Sequence, residues 1–198
     1  MNDIATIFIT LMMGALTSNA VLNQGLSICS FLGVSKKTSN AFGMGAAVTF
    51  VLVISSLIVY GVQYSFIVPF KLEYLDLIVF ILIIAALVQL LDIVLKRFAP
   101  TMYSSLGVYL PLVTTNCVII YTVRRVVGYD LSTLGLLQAF LDPLFVGLGF
   151  ILAICLMSGV RERLALGKIP KTFEGFPIVL IAAGIFAMAF SGFIGFKI

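Results

Sequence analysis

The chain has three cysteines and no histidine, so any thiolate-bound metal centre must draw on those three thiols. Two of them share a setting. Cys117 closes the stretch Gly107-Val-Tyr-Leu-Pro-Leu-Val-Thr-Thr-Asn-Cys117, and Cys29 closes Asn23-Gln-Gly-Leu-Ser-Ile-Cys29. Without imidazole there is no His-ligated haem, Rieske-type centre or His proton relay. Three thiols cannot complete a four-thiolate site either. A [2Fe–2S] cluster takes four, two per iron, so Cys29 and Cys117 could supply half, with a homologous partner or a second copy supplying the rest. The plainer alternative is that each is a small apolar packing residue. That alternative describes Cys155, which sits in Ala153-Ile-Cys-Leu with no polar neighbour. Thr114, Thr115, Asn116, Ser27 and Asn23 offer hydroxyl and amide donors near the two candidate sulfurs. Such donors either tune a metal centre or join helices to one another.

The elements that carry these thiols are membrane segments. The chain has 198 residues, is 62% hydrophobic and 10% charged, and has a mean hydropathy of +1.22. Soluble domains are about half apolar, so this is an integral membrane protein with a single domain, 1–198. Its net charge of +4 fits basic loops beside lipid headgroups and gives no sign of nucleic-acid binding. The N-terminus lacks the basic region and cleavage site of a secretory signal, so the first apolar segment is expected to stay in place.

Phe98 to Val123 contains no charged side chain, enough helix to cross a bilayer core of about 30 Å at about 1.5 Å per residue. Pro111 cannot donate to the carbonyl of Gly107, which predicts a helix weakened one turn before Thr114-Thr115-Asn116-Cys117. Broken backbone at membrane depth must be covered by protein or line a cavity. The first segment, Ile4 to Ser35, is also uncharged, and as one straight helix it would run to roughly 50 Å, too long for a simple span. Its polar residues Thr17-Ser18-Asn19 and Asn23-Gln24-Gly25 predict a break near Gly25, with Cys29 on a following half-turn or short helix. Four more helices are expected, at about 39–63, 74–97, 143–160 and 175–196. Gly43-x-Gly45 and Gly147-x-Gly149 open the second and fifth segments, where small residues allow close helix approach.

The remaining charged residues have local readings. Asp92 and Lys96 are spaced for an i,i+4 ion pair. Asp142 before Pro143 reads as the N-cap of the fifth helix, with room for a short interfacial helix before it. Arg161-Glu-Arg163 reads as a solvated helix end against headgroups. Alternate loops hold Lys36, Lys37, Lys96, Arg97, Arg161, Arg163, Lys168 and Lys171 on one side, against Lys71, Arg124, Arg125 and Lys197 on the other. The positive-inside rule then places both termini outside the cytoplasm. Each half has a polar-interrupted segment with a Cys, then a helix opening Gly-x-Gly, then an Ile-Val-rich helix. The predicted fold is therefore all-α, with six transmembrane helices as two inverted three-helix repeats over about 1–98 and 99–198, the first and fourth helices being broken. No phosphate loop, nucleophile triad or complete catalytic site is visible.

Cys29-Ser-Phe-Leu-Gly-Val-Ser-Lys-Lys37, Gly43-Met-Gly45, Leu110-Pro-Leu-Val-Thr-Thr-Asn-Cys117, Gly159-Val-Arg-Glu-Arg-Leu164 and the final Ala-Phe-Ser-Gly-Phe together resemble the RnfA/NqrE family across essentially the whole chain. Ser30 departs from it, since the family often has Pro there. The short loop between the second and third helices is more similar to the RnfA branch than to the NqrE branch, which belongs to the sodium-pumping NADH:quinone reductase. The resemblance implies a six-helix subunit of an inner-membrane complex, paired antiparallel with a homologous RnfE-like subunit. It implies an intramembrane [2Fe–2S] cluster held by Cys29 and Cys117 together with two partner cysteines. It further implies electron flow from ferredoxin to NAD⁺ coupled to movement of Na⁺ or H⁺, with the flavins bound by other subunits. Two rivals remain: a secondary transporter, which also uses broken helices in inverted halves, and a purely structural subunit.

Overall fold

A computed structural model describes residues 25–35, 38–67, 76–98, 112–113, 116–129, 133–167, 170 and 175–192. Among these residues the secondary structure is entirely helical: α1 (Ile28–Val34), α2 (Thr38–Val62), α3 (Asp76–Phe98), α4 (Cys117–Val127), α5 (Thr133–Ala165) and α6 (Phe176–Ser191). A π-helical turn, Gln63–Ile67, extends α2.

The centre is an antiparallel pair made by α2 and α5. Thr38 meets Ser158 through their hydroxyls at 3.2 Å. A Cβ on Gly45 would lie 2.7 Å from Ile151 Cγ1, and one on Gly147 would lie 2.5 Å from Thr49 Cγ2. Every step forward along α2 is matched by an equal step back along α5. Gly45 and Gly147 are the points of closest approach, and each faces the residue four positions after the other. The glycines expected to let helices pack closely do so. Thr49, Ser55 and Thr122 donate their hydroxyls to carbonyls of their own helices, Gly45, Leu52 and Val118, which satisfies polar groups inside an apolar bundle.

One apolar core joins all six helices. It includes Phe31 and Val34 of α1, Val48 and Leu52 of α2, Ile84 of α3, Ile119 of α4, Ile154 of α5 and Val179 of α6. The outward faces are apolar as well, with Phe42, Phe50, Leu82, Leu90, Phe176 and Met188 exposed. A helix that is apolar on every side belongs in lipid or in the middle of a bundle. Thr38–Ser65 and Gly135–Ala165 are long and apolar enough to cross a membrane, and Ile78–Leu90 and Phe176–Ser191 are shorter apolar stretches. The described residues thus give two clear spans where the sequence predicts six. Gly107, Pro111, Lys71 and the part of the first segment before Gly25 lie outside the described residues, as do Lys36 and Lys37.

The fifth helix corrects the sequence reading. It starts at Thr133, not Pro143, and contains Pro143 in its interior. Asp142 is therefore no N-cap, and the separate interfacial helix is absorbed into α5. A Pro inside a helix forfeits one backbone bond and crowds the preceding turn, at about 3 kcal/mol. Packing on both sides of the Pro offsets this: Ala139, Asp142 and Pro143 itself are buried, and Arg125 of α4 holds Asp142. Asp92 and Lys96 form the expected pair at 2.8 Å.

A candidate metal centre at two helix starts

The backbone at Gly25 and Ser27, where the sequence predicts a break, is left-handed. Gly25 and Ser27 both have φ of +65°, and left-handed backbone is uncommon for a residue with a side chain. Such backbone is not helical, so α1 begins at Ile28, with Cys29 in its first turn. Ser27 and Ser30 hydroxyls bond each other, and Ser30 Oγ donates to the Ser27 carbonyl at 3.1 Å. These bonds hold the strained turn in place. They also give Ser30 a role in the turn.

The second break falls at Asn116. Its Oδ1 accepts from Val118 N at 3.0 Å, an N-cap that starts α4 at Cys117. Oδ1 is thereby committed, while Asn116 Nδ2, buried beside the thiol, finds no hydrogen-bond partner among the described residues.

The two thiols occupy equivalent places. Each lies in the first turn of a new helix and each is exposed. Each is followed by buried residues at the next two positions and again at the fifth: Ser30, Phe31 and Val34 after Cys29, and Val118, Ile119 and Thr122 after Cys117. The helix faces opposite the thiols are thus seated in the core, and the sulfurs point away from it. The two segments are also neighbours. Val113 shares the core with Phe31 and Val34, and a Cβ on Gly33 would sit 3.8 Å from Leu112 Cδ1.

Cys29 and Cys117 are both exposed thiols on neighbouring segments. Among the described residues no group of three or more His, Cys, Asp or Glu side chains gathers to hold a metal, so those residues do not complete a site by themselves. Cys155 is half-buried in α5 and packs against the main core, as expected of an inert residue. Unmet amides at the start of a helix favour negative charge, which suits a thiolate ligand in the first turn.

Arg161 and Glu162 depart from the sequence reading. Arg161 is not a solvated headgroup contact: its Nη1 donates to the Leu32 carbonyl at 2.6 Å and to Ser35 Oγ at 2.8 Å. Glu162 Oε1 accepts from Thr38 N at 3.1 Å and from Thr38 Oγ1 at 2.6 Å. Sequence reasoning missed this because the partners lie across the whole chain. The available signal was an Arg-Glu pair at the end of an otherwise apolar helix.

The sequence matches the family described as Rnf-Nqr subunit, membrane protein, over residues 7–197. It is 47% identical to the A-type subunit of the Na⁺-translocating ferredoxin:NAD⁺ oxidoreductase complex of Acetobacterium woodii, covering 98% of this chain and 99% of that one. It is 44% identical to the A-type subunit of the ion-translocating oxidoreductase complex of an Azoarcus species, over 91% and 92% of the two chains. It is 40% identical to the A-type subunit of the proton-translocating ferredoxin:NAD⁺ oxidoreductase complex of Clostridium ljungdahlii, over 95% and 96%. With a family match over nearly its full length and relatives this similar, the chain belongs to the Rnf-Nqr subunit family of membrane proteins.

Proposed function

We propose that this chain is a membrane subunit of an ion-translocating ferredoxin:NAD⁺ oxidoreductase complex, and that Cys29 and Cys117 are two of four thiolate ligands to a [2Fe–2S] cluster shared with a homologous antiparallel subunit. The observation that carries the ligand assignment is the matched placement of the two thiols, both exposed in the first turns of their helices. Exposed cysteines are unusual, since free Cys is among the most buried residue types. An outward pair meant for a second chain accounts for the exposure. When bound, such a cluster takes up and gives back one electron. The residues of this chain hold the sulfurs: α1 and α4 anchor them through the core, and Asn116 Nδ2 offers a donor beside Cys117 that would offset added negative charge.

The relatives' names divide between Na⁺ and H⁺, and the ion moved by this complex is proposed to be one of the two. The fold reading is six spans in two inverted repeats. It rests on the matching order of segments in the two halves, each a Cys-bearing segment, a Gly-x-Gly helix and an Ile-Val-rich helix. The nicotinamide chemistry and the flavins would lie on other subunits of the assembly.

The test is anaerobic EPR and iron analysis on the purified complex carrying Cys29→Ser or Cys117→Ser. Each variant is expected to assemble, to lose the cluster signal and to lose ferredoxin-dependent NAD⁺ reduction, while Cys155→Ser keeps all three. A complex that retains its cluster with either serine refutes the assignment.

A further inference from the structure

We infer that Arg161 and Glu162 form a clamp that fixes the orientation of the Cys29 helix, making Arg161 a positioning residue for the thiol; this rests on the reading of Cys29 as a ligand. Helix α1 has seven residues, and helices much shorter than about 12 residues do not hold together alone in water. Something must fix both of its ends. The Ser27–Ser30 bonds serve the start. At the other end the last carbonyls of a helix lack partners, and Arg161 fills that need with one nitrogen shared between the Leu32 carbonyl and Ser35 Oγ. The next residue, Glu162, takes the first amide of α2 at Thr38. A cation thus meets the negative end of one helix and an anion the positive end of the next, each the favourable sign. Both come from the last turns of α5, so the junction between α1 and α2 is tied to a helix far away in sequence.

The other thiol helix is tied in a similar way. Tyr64, at the end of α2, donates its hydroxyl to the Tyr129 carbonyl just beyond α4. Each long helix therefore secures the C-terminal end of the thiol helix that precedes the other long helix. Through this tie, Arg161 is the residue by which α5 holds the Cys29 helix in place.

The clamp is testable in the assembled complex by hydrogen exchange over residues 28–35 together with the cluster's EPR line shape and midpoint potential. Arg161→Gln should raise exchange over 28–35 by about tenfold or more, as for loss of one charge-assisted hydrogen bond, and should shift the resonance and the potential. Ser35→Ala, a smaller change that removes one acceptor, should shift both in the same direction, and Arg161→Lys should restore part of each. Exposed Arg163→Gln should move neither. Unchanged exchange in Arg161→Gln overturns the clamp, and raised exchange with an unaltered cluster signal overturns the positioning role. Should Arg161→Gln fail to assemble, Ser35→Ala decides by the same two readouts. Persistence of the cluster in Cys29→Ser is the separate result that removes the underlying ligand reading.

Discussion

Asp142 lies inside α5 with its side chain 3% exposed, and Arg125 Nη2 reaches its Oδ1 at 3.2 Å. The other oxygen finds no hydrogen-bond partner among the described residues. Arg125 keeps 41% of its side chain exposed and lies over the Tyr121 ring, 5.9 Å from its centroid. Tyr129 stands beside both; burial first, and then the Asp142 charge, push its phenol up to about 12, so it stays neutral and protonated. The ion pair is lopsided, because the cation retains water and the anion does not. Arg125→Met strands a carboxylate in an apolar helix and should destabilise the chain by up to ~3–5 kcal/mol. Asp142→Leu frees a guanidinium that can turn to solvent, so it should be much milder, and the double variant should recover most of the Arg125→Met loss. Denaturant unfolding in detergent micelles measures all three, and equal losses from the two single variants would sink the asymmetry. At this scale the sequence misleads for a physical reason. Asp-Pro is a strong helix-start signal, but the local preference loses to a tertiary partner that lies across a loop. Asn116 is the opposite case. Its cap to Val118 obeys a local rule, while the Pro111 weakening that the sequence predicts lies outside the described residues.

At the scale of elements, the contact between α2 and α5 depends on two hydrogen atoms where other residues carry a side chain. Thr49 cannot swing aside for a Cβ on Gly147, because its hydroxyl is bonded to the Gly45 carbonyl at 2.8 Å. Gly147→Ala and Gly45→Ala should each destabilise by about 1–3 kcal/mol, the usual range for overpacking. Ile151→Ala removes the atom that a Cβ on Gly45 would strike, so Gly45→Ala with Ile151→Ala should lose less than the sum of the single changes. Gly159 of the same helix has nothing within 4 Å of its missing Cβ, and Gly159→Ala should be neutral or stabilising by up to about 1 kcal/mol. Unfolding midpoints of these variants check this, and a loss in Gly159→Ala equal to that in Gly147→Ala would show that helix propensity, not contact, sets the effect. The Gly-x-Gly pairs are visible in the sequence. Which glycine of each pair makes the contact is not, because that depends on how each helix is rotated about its axis.

For the whole molecule, the two ends of the bundle define its orientation. Thr38 bonds Ser158 and Glu162, so the start of α2 and the end of α5 share one end. Tyr64 bonds Tyr129 and Arg125 pairs with Asp142, which gathers the end of α2, the end of α4 and the first part of α5 at the other. Charge counting along the sequence makes the same division, with Arg161 and Arg163 on the richer side and Arg124 and Arg125 on the poorer. For these two clusters the separation between the ends of the bundle is legible from the chain alone. The positive-inside rule assigns the Arg161 end to the cytoplasm. Alkaline phosphatase fused after Gly167 should then be inactive in a bacterial host, and a fusion after Gly128 should be active. The reverse pattern would invert the molecule, and equal activity at both sites would mean that the two ends do not lie on opposite sides. The assignment also bears on the clamp: the Arg161–Leu32 contact would sit on the side that faces cytoplasmic electron donors. A membrane-impermeant thiol reagent applied from outside should accordingly leave a cysteine introduced as Arg163→Cys unlabelled, and label it once the membrane is opened.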